Sequence, residues 1–431
     1  MSATGASEEG AAAGGARAGA DGASAGEPRA GRPDLSIDPA LLRWYAAERA
    51  ALGDPPVVDV HTHVGEHDPD TMRCSPAELT AHLEEADAVG VVFPLREPDG
   101  YRGPNDAVIA AARASGGRLV AFGRVDPADA PAREARRTLD AGARGLKLHP
   151  RGEGFTLDDR RLEELWALAH ERRAPVLVHA GRGIPSLGAH AVQVATRYPG
   201  VRLILAHAGI SDLAWIGRRA QELPNLFFDT SWWAPSDLLA LLATVPAGQI
   251  LFASDAPYGR TPITAIMVIR LARQAGLRDE QVRTLLGAQA QRLLDGAEPL
   301  DGERPRGATE IAVDVLLDRV ATYLTAAFGQ LASGGAGAEM LSLARLACAV
   351  PADAPQAGHC RAIVELIDAY ERRLAAAAGR LPAAAPGAAA PAAGLPAAPT
   401  AGALPPAVAL LVLALNIART PAVPVPELAL G

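Results

Sequence analysis

Lysine is almost missing from this chain. Of its 41 basic residues, one, Lys147, is a lysine and the rest are arginine. Where nearly every positive charge is a guanidinium, a surviving amine points to a task that arginine cannot perform. Arginine stays charged in proteins, whereas a lysine in a partly dry site can lose its proton and act as base, nucleophile or carbamate-forming amine. Lys147 is therefore the first candidate site residue, and the competing account is a chance survivor that forms a salt bridge.

Other absences bound the answer. Cys74, Cys348 and Cys360 are few and widely spaced, which offers neither a disulfide framework nor a cysteine-based zinc site and fits a reducing cytoplasm. Positive charge is in deficit, with 41 Lys and Arg against 49 Asp and Glu for a formal net charge of −8. That argues against nucleic-acid binding, which needs a basic face. Long apolar runs are lacking as well: the segment 407–418 falls short of the roughly 18 residues of a membrane span. It reads as a terminal helix docked on a hydrophobic groove or on another subunit of a homo-oligomer. The first 33 residues have neither the basic start nor the apolar core of a signal peptide, and their Ala, Gly and acidic content reads as disorder.

What is present is a rhythm. Short apolar runs ending in polar residues recur at 57–63, 91–96, 119–125, 143–149, 175–180, 201–207, 226–231 and 249–255, with segments of helical pattern between them, such as 76–88, 159–173 and 236–244. Strands that are near-continuously apolar and alternate with helices indicate a parallel sheet buried on both faces. Eight such units predict an α/β fold, the (β/α)8 TIM barrel, whose active sites gather at the C-terminal ends of the strands. The barrel is expected over 34–300, with a helix at 39–52 covering its base or side. Helical spacing at 309–331, 338–349 and 359–378 predicts a small helical appendage over 301–380. An Ala/Pro-rich linker and the apolar terminal helix fill 381–431.

Five of the ten histidines, His61, His63, His149, His179 and His207, fall at strand ends, and Asp255 ends the last strand. Side chains alternate along a strand, so His61 and His63 point one way together, as do Lys147 and His149. A lone strand-end histidine is more often a hydrogen-bonded core residue. Five at the same end of a barrel, joined by an aspartate, favour a metal or proton-transfer site. Imidazole and carboxylate suit zinc and its neighbours, and catalytic zinc keeps one position open for a water that it acidifies toward neutrality.

Five pieces carry a resemblance: Asp-Val-His-Thr-His (59–63), Gly-Leu-Lys-Leu-His-Pro (145–150), Leu-Val-His-Ala-Gly (177–181), Leu-Ala-His-Ala-Gly (205–209) and Ala-Ser-Asp-Ala-Pro-Tyr-Gly (253–259). Taken in order, they make the chain resemble the amidohydrolase superfamily. Within it, the pieces resemble the amidohydrolase 2 branch, which includes aminocarboxymuconate-semialdehyde and resorcylate decarboxylases as well as hydrolases. As a set the pieces are specific, although His-x-His alone is weak. The segment 285–294 resembles the family's closing helix, with Gln289 where Asn is usual.

The resemblance implies His61, His63, His179 and Asp255 as ligands of one divalent metal, zinc foremost. It places His207 beside the metal's water, to orient or deprotonate it, while Asp255 carries the proton to the leaving group. Imidazole titrates near neutrality, and a carboxylate beside a metal can accept a proton from its water, so the chemistry is apt. In two-metal relatives a lysine at the place of Lys147 is carbamylated and bridges both ions, with His207 bound to the second. In the one-metal form, more usual in this branch, Lys147 stays an amine that polarises or binds an anionic substrate group. His149 either assists it or caps the barrel mouth.

The substrate is less legible. Arg96, Arg151, Arg182 and Arg260 lie in loops after strands, and guanidinium groups pair bidentately with carboxylates. That suits an acidic small molecule, although in so arginine-rich a chain each taken singly reads first as solvated surface. Trp232, Trp233 and Tyr258 offer either an aromatic wall or rim packing. The expected function is metal-dependent hydrolysis of a small-molecule amide, ester or lactone. The rival is non-oxidative decarboxylation of a small aromatic or unsaturated acid by the same ligands, and a third reading is a metal-free barrel kept as a binding or scaffold protein.

Overall fold

The structure is a computed structural model that describes residues 33–431 except 182, 185, 211, 301–302, 379–405, 429 and 431. The N-terminal disorder and the Ala/Pro-rich linker expected from sequence lie outside the described residues, as does Arg182. Eight parallel strands follow one another in chain order. They are β1 (Val57–Val64), β2 (Ala88–Pro94), β3 (Leu119–Arg124), β4 (Gly145–Leu148), β5 (Pro175–Val178), β6 (Arg202–Leu205), β7 (Leu226–Asp229) and β8 (Ile250–Leu251). The ring closes where Val60 N donates to Phe252 O at 3.0 Å and His63 N to Ala256 O at 2.7 Å. The fold is a (β/α)8 TIM barrel with added C-terminal helices. β8 is shorter than the run 249–255 that sequence marks as strand, because the amides after Leu251 leave the ladder: Phe252 N donates to Leu285 O at 3.0 Å, Ala253 N to Thr230 Oγ1 at 2.9 Å and Ser254 N to Asp59 Oδ1 at 2.9 Å.

Helix α1 (Pro39–Ala51) precedes the barrel, and α2 (Pro76–Glu85), α3 (Arg102–Ala114), α4 (Pro131–Asp140), α5 (Glu163–Arg172), α6 (Leu187–Arg197), α7 (Leu213–Ala220), α8 (Pro235–Thr244) and α9 (Thr261–Gln274) follow the strands in turn. Their starts are written in the sequence. Ser75 and Glu78 form a capping box on α2, and a proline opens the first turn of α1, α2, α4 and α8, where its missing N–H costs nothing. Helices α10 (Asp279–Arg283) and α11 (Gln289–Leu294) flank a single π turn, Thr284–Ala288. Gly287 in that turn is required: a Cβ there would stand 2.3 Å from the Pro56 carbonyl oxygen. Gln289 is fully used, donating to the carbonyls of Gly248 and Leu300 and accepting from Leu300 N at 2.9 Å.

Inside the barrel, alternate strand residues make one apolar cluster, among them Val58, Val60, Val91, Phe93, Phe122, Leu177, Ile204, Phe227 and Leu251. Their neighbours Leu146, Leu148, Val176 and Val178 face outward into the layer beneath the helices. One irregularity matters for function. Between Asp59, opposite Gly90, and Thr62, opposite Val92, β1 carries one more residue than β2. This bulge resets the alternation. Val58 and Val60 point inward below it, and His61 and His63 point inward above it.

Beyond the barrel lie α12 (Val315–Ala332), α13 (Ala338–Ala347), α14 (Ala357–Ala378) and α15 (Pro406–Ala418). Residues 407 to 418 of α15 are all buried, and the helix packs on α14, α12 and the barrel helix α9. The apolar terminal segment thus docks in a groove of its own chain. Arg270 of α9 fastens the residues after α15, donating to Pro424 O at 2.7 Å, Val423 O at 3.1 Å and Thr420 Oγ1 at 2.7 Å. Among the described residues, no helix is long and apolar enough to cross a membrane.

Candidate metal centre and active site

The C-terminal strand ends gather the predicted side chains at one mouth. His61 Nε2 lies 3.3 Å and His63 Nε2 3.0 Å from Asp255 Oδ1, so residues separated by almost 200 positions form one group with the spacing of a metal site. Lys147 Nζ stands 3.3 Å from His61 Nε2 and 4.6 Å over the Phe93 ring. The His207 ring lies 5.1 Å from that of His61 and 4.6 Å from that of His179. His179 itself is one imidazole removed from the His61, His63 and Asp255 group, its Nδ1 meeting His207 Nε2 at 2.9 Å.

The hydrogen bonds determine where the protons sit. Asp229 Oδ2 is 2.8 Å from His61 Nδ1, so Nδ1 carries the proton and Nε2 a lone pair. His207 Nδ1 lies 2.7 Å from the Ser231 carbonyl, which can only accept. His207 therefore donates there, its Nε2 accepts from His179 Nδ1, and His179 Nε2 is left with a lone pair, buried and without a hydrogen-bond partner. A carboxylate or carbonyl that fixes the tautomer in this way is the usual support of a metal-bound imidazole. Burial holds His61, His63 and His179 well below the ordinary imidazole range, and neutral imidazole is the form that binds metal. His61 Nε2 and Asp255 Oδ1 are both acceptors 3.3 Å apart, with the Lys147 amine 3.3 Å from the same Nε2. The donor set fits a divalent ion.

Charge at the floor is balanced within the protein. Lys147 is fully buried, and desolvation, with the Arg124 guanidinium second, pushes its amine down to about 7. Arg124, from β3 and opposite Lys147 in the register, is buried too. It forms an ion pair with Glu153 at 2.6 Å and donates to Pro94 O at 3.1 Å. Asp255 keeps 22 % of its side chain exposed at the mouth. Burial of the rest pushes its carboxyl up to about 6, against the pull of His207 and Lys147. The three site residues His207, Ala208 and Asp255 all have φ between +55° and +62°, a left-handed conformation that costs non-glycine residues of order 1 kcal/mol and concentrates at functional sites.

The other candidates are sorted by the same geometry. His149 stacks on His179 with ring centroids 3.9 Å apart and accepts from Gly152 N through Nδ1 at 2.9 Å, so it caps a turn and backs a neighbour. Tyr258 meets His63 edge-on at 5.7 Å, and Trp232 meets His207 at 6.2 Å. Arg260 is buried and bonds the Asp34 carbonyl, while Arg96 and Arg151 are exposed. Sequence reasoning misses Asp229, Ser231, Arg124 and Asp59. Asp229 ends the run Leu-Phe-Phe-Asp as Asp255 ends its own, and that signal was available. Asp59 accepts from Ser254 N at 2.9 Å and Thr261 Oγ1 at 2.8 Å, pairings that join chain ends no sequence pattern relates.

The Amidohydrolase family profile matches residues 58–296, more than half of the chain. No curated protein matches. Similar solved structures include an uncharacterized TIM-barrel protein from Bordetella bronchiseptica, 18 % identical, covering 56 % of this chain and 99 % of its own with a TM-score of 0.46. A putative amidohydrolase from Staphylococcus aureus is 16 % identical over the same shares, with a TM-score of 0.47. The 2,6-dihydroxybenzoate decarboxylase from Rhizobium is 15 % identical over the same shares, with a TM-score of 0.45. By its family match, the chain belongs to the amidohydrolase superfamily, in its amidohydrolase 2 branch.

Proposed function

We propose that the protein is a metal-dependent hydrolase of a small-molecule amide, ester or lactone. In this reading His61, His63, His179 and Asp255 hold one divalent ion, zinc by the suitability of imidazole and carboxylate. The supporting observation is the approach of two neutral imidazoles to a single carboxylate oxygen, at 3.3 and 3.0 Å. When bound, such an ion polarises a carbonyl and acidifies water.

The chain's own groups do the rest. Asp255, its carboxyl raised to about 6, accepts a proton from the attacking water and returns it to the departing nitrogen or oxygen as the carbonyl carbon–heteroatom bond breaks. His207, anchored by Ser231, orients the water. Lys147, with an amine near 7, holds an anionic group or the carbonyl oxygen of the substrate.

Decarboxylation of a small carboxylic acid is the second reading, and the buried Lys147 favours it as a partner for a substrate carboxylate. Asp255 would then give its proton to the carbon, and the bonding pair of the carbon–carboxylate bond would stay on that carbon as carbon dioxide leaves. A panel of amides, esters and lactones scored for hydrolysis, beside carboxylic acids scored for carbon dioxide release, separates the two. Asp255→Asn is expected to lower kcat by about 10²- to 10⁴-fold in either case. Hydrolysis absent from the whole panel, with carbon dioxide released, overturns the first reading. Activity that survives exhaustive chelation overturns both.

A further inference from the structure

The aromatic residues that follow β7 do not end at the barrel. Trp232 lies 6.2 Å from the His207 ring, Trp233 lies 6.0 Å from Trp232, and Phe328 of α12 lies 5.4 Å from Trp233. The chain of rings runs from the candidate site into the appendage. Trp232 is pinned at its other edge, its indole Nε1 donating to Asp237 Oδ2 at 2.6 Å, so the ring has one hydrogen-bonded anchor and one apolar support. Trp232 is half-buried, Trp233 is 38 % exposed and Phe328 is 7 % exposed. The innermost support is therefore rigid, and the tryptophans keep faces open at the rim. The family match stops at residue 296, so Phe328 belongs to sequence outside the part shared with the family.

We propose that Phe328 is a positioning residue for the site at the barrel mouth, and that it holds Trp232 and Trp233 as a wall selecting substrates with a planar apolar group. The inference takes the location of the site from the proposed function but depends on no particular reaction. The ligand it fits is small, with a flat face for the indoles and an anionic or carbonyl end for Lys147, whose Nζ stands 3.3 Å from His61 Nε2. Aromatic pairs gain from offset or tilted contact beyond the area they bury, enough for a several-fold effect on binding. The appendage would thus set which members of a substrate class are held, while the strand ends set the chemistry.

The test is binding, read by calorimetry on the full chain as purified, with benzoate as the planar probe and acetate as the probe that lacks a ring. The wild type is expected to prefer benzoate by about tenfold or more. Phe328→Leu, which keeps the apolar volume and removes the ring, and Trp233→Ala, at an exposed position, should each cut that preference by about 3- to 10-fold and leave the acetate affinity unchanged. Phe328→Tyr should restore it, and Leu346→Ala, exposed elsewhere on the appendage, should do nothing. An unchanged preference in both ring-removing variants overturns the proposal, as does a wild type that binds both probes alike. So does a parallel loss of both probes, which would mark a general effect of unfolding. Because no turnover is read, failure of the hydrolase reading with an intact benzoate preference leaves this inference standing.

Discussion

Asp229 uses two oxygens for four partners. Oδ2 accepts a hydrogen bond from His61 Nδ1 at 2.8 Å, and Oδ1 accepts from His207 N at 2.9 Å, Ser231 N at 2.9 Å and Ser231 Oγ. It thus fixes the tautomer of one candidate ligand and the backbone that carries another site histidine. Asparagine is isosteric but offers one acceptor oxygen and an amide that donates toward His61 or the backbone. Asp229→Asn is expected to weaken zinc binding by about 10- to 100-fold, measured by competition with a chromophoric chelator. Affinity within twofold of wild type would show that His61 is oriented by something else. The contrast with the candidate ligands explains what sequence can tell. His61, His63 and Asp255 are legible because histidines repeat at strand ends inside specific short motifs. Asp229 is a single aspartate after an apolar run, a pattern also made by ordinary turn residues. Arg124 hides among forty arginines, and only the register opposite Lys147 singles it out.

At the scale of elements, the eight strands are legible because they are buried on both faces and therefore mostly apolar, with polar residues concentrated toward their ends. Local departures are not. The extra residue in β1 leaves no mark in Asp-Val-His-Thr-His, yet without it the alternation that buries Val58 and Val60 would turn His61 and His63 out of the barrel. The positive φ of His207 and Asp255 is equally silent, since neither is glycine. Tertiary pairing also settles how α2 meets α9. His82 of α2 accepts from Thr261 N at the start of α9, at 3.1 Å, and burial, helped by Arg260, pushes the imidazole down to about 4. The unfolded chain binds this proton near 6.5, so between those values the unfolded state takes up more protons than the native one. The contribution of His82 is therefore intact above about pH 6.5 and lost as pH falls toward 4, a span of about 3 kcal/mol. Denaturant melts of wild type and His82→Gln across that range should show a shallower decline in the variant. Parallel declines would remove His82 as a source of the pH dependence.

At the scale of the molecule, barrel and appendage are not separate bodies. One continuous apolar cluster runs from Leu41 and Trp44 of α1 through Ile266 and Ile269 of α9 to Leu410 and Leu413 of α15. Arg270 sits in that seam, its guanidinium 5.7 Å from the Trp44 ring and its donors on the chain after α15. A helix that is apolar all round is stable only when enclosed, and α15 is enclosed by α12 and α14 on one side and α9 on the other. Loss of α15 would uncover the outer layer of the barrel as well as the appendage. Leu413→Ala, at a position with no exposure, is expected to cost about 2–5 kcal/mol through the cavity it leaves. The more telling measurement is cooperativity. If the seam couples the two parts, tryptophan fluorescence, which reports the barrel and its rim, and far-ultraviolet circular dichroism, which reports all helices, will shift to lower denaturant together in this variant. A fluorescence transition that stays in place while helical signal is lost early would mean that the appendage melts alone, and the barrel would then owe none of its stability to α15.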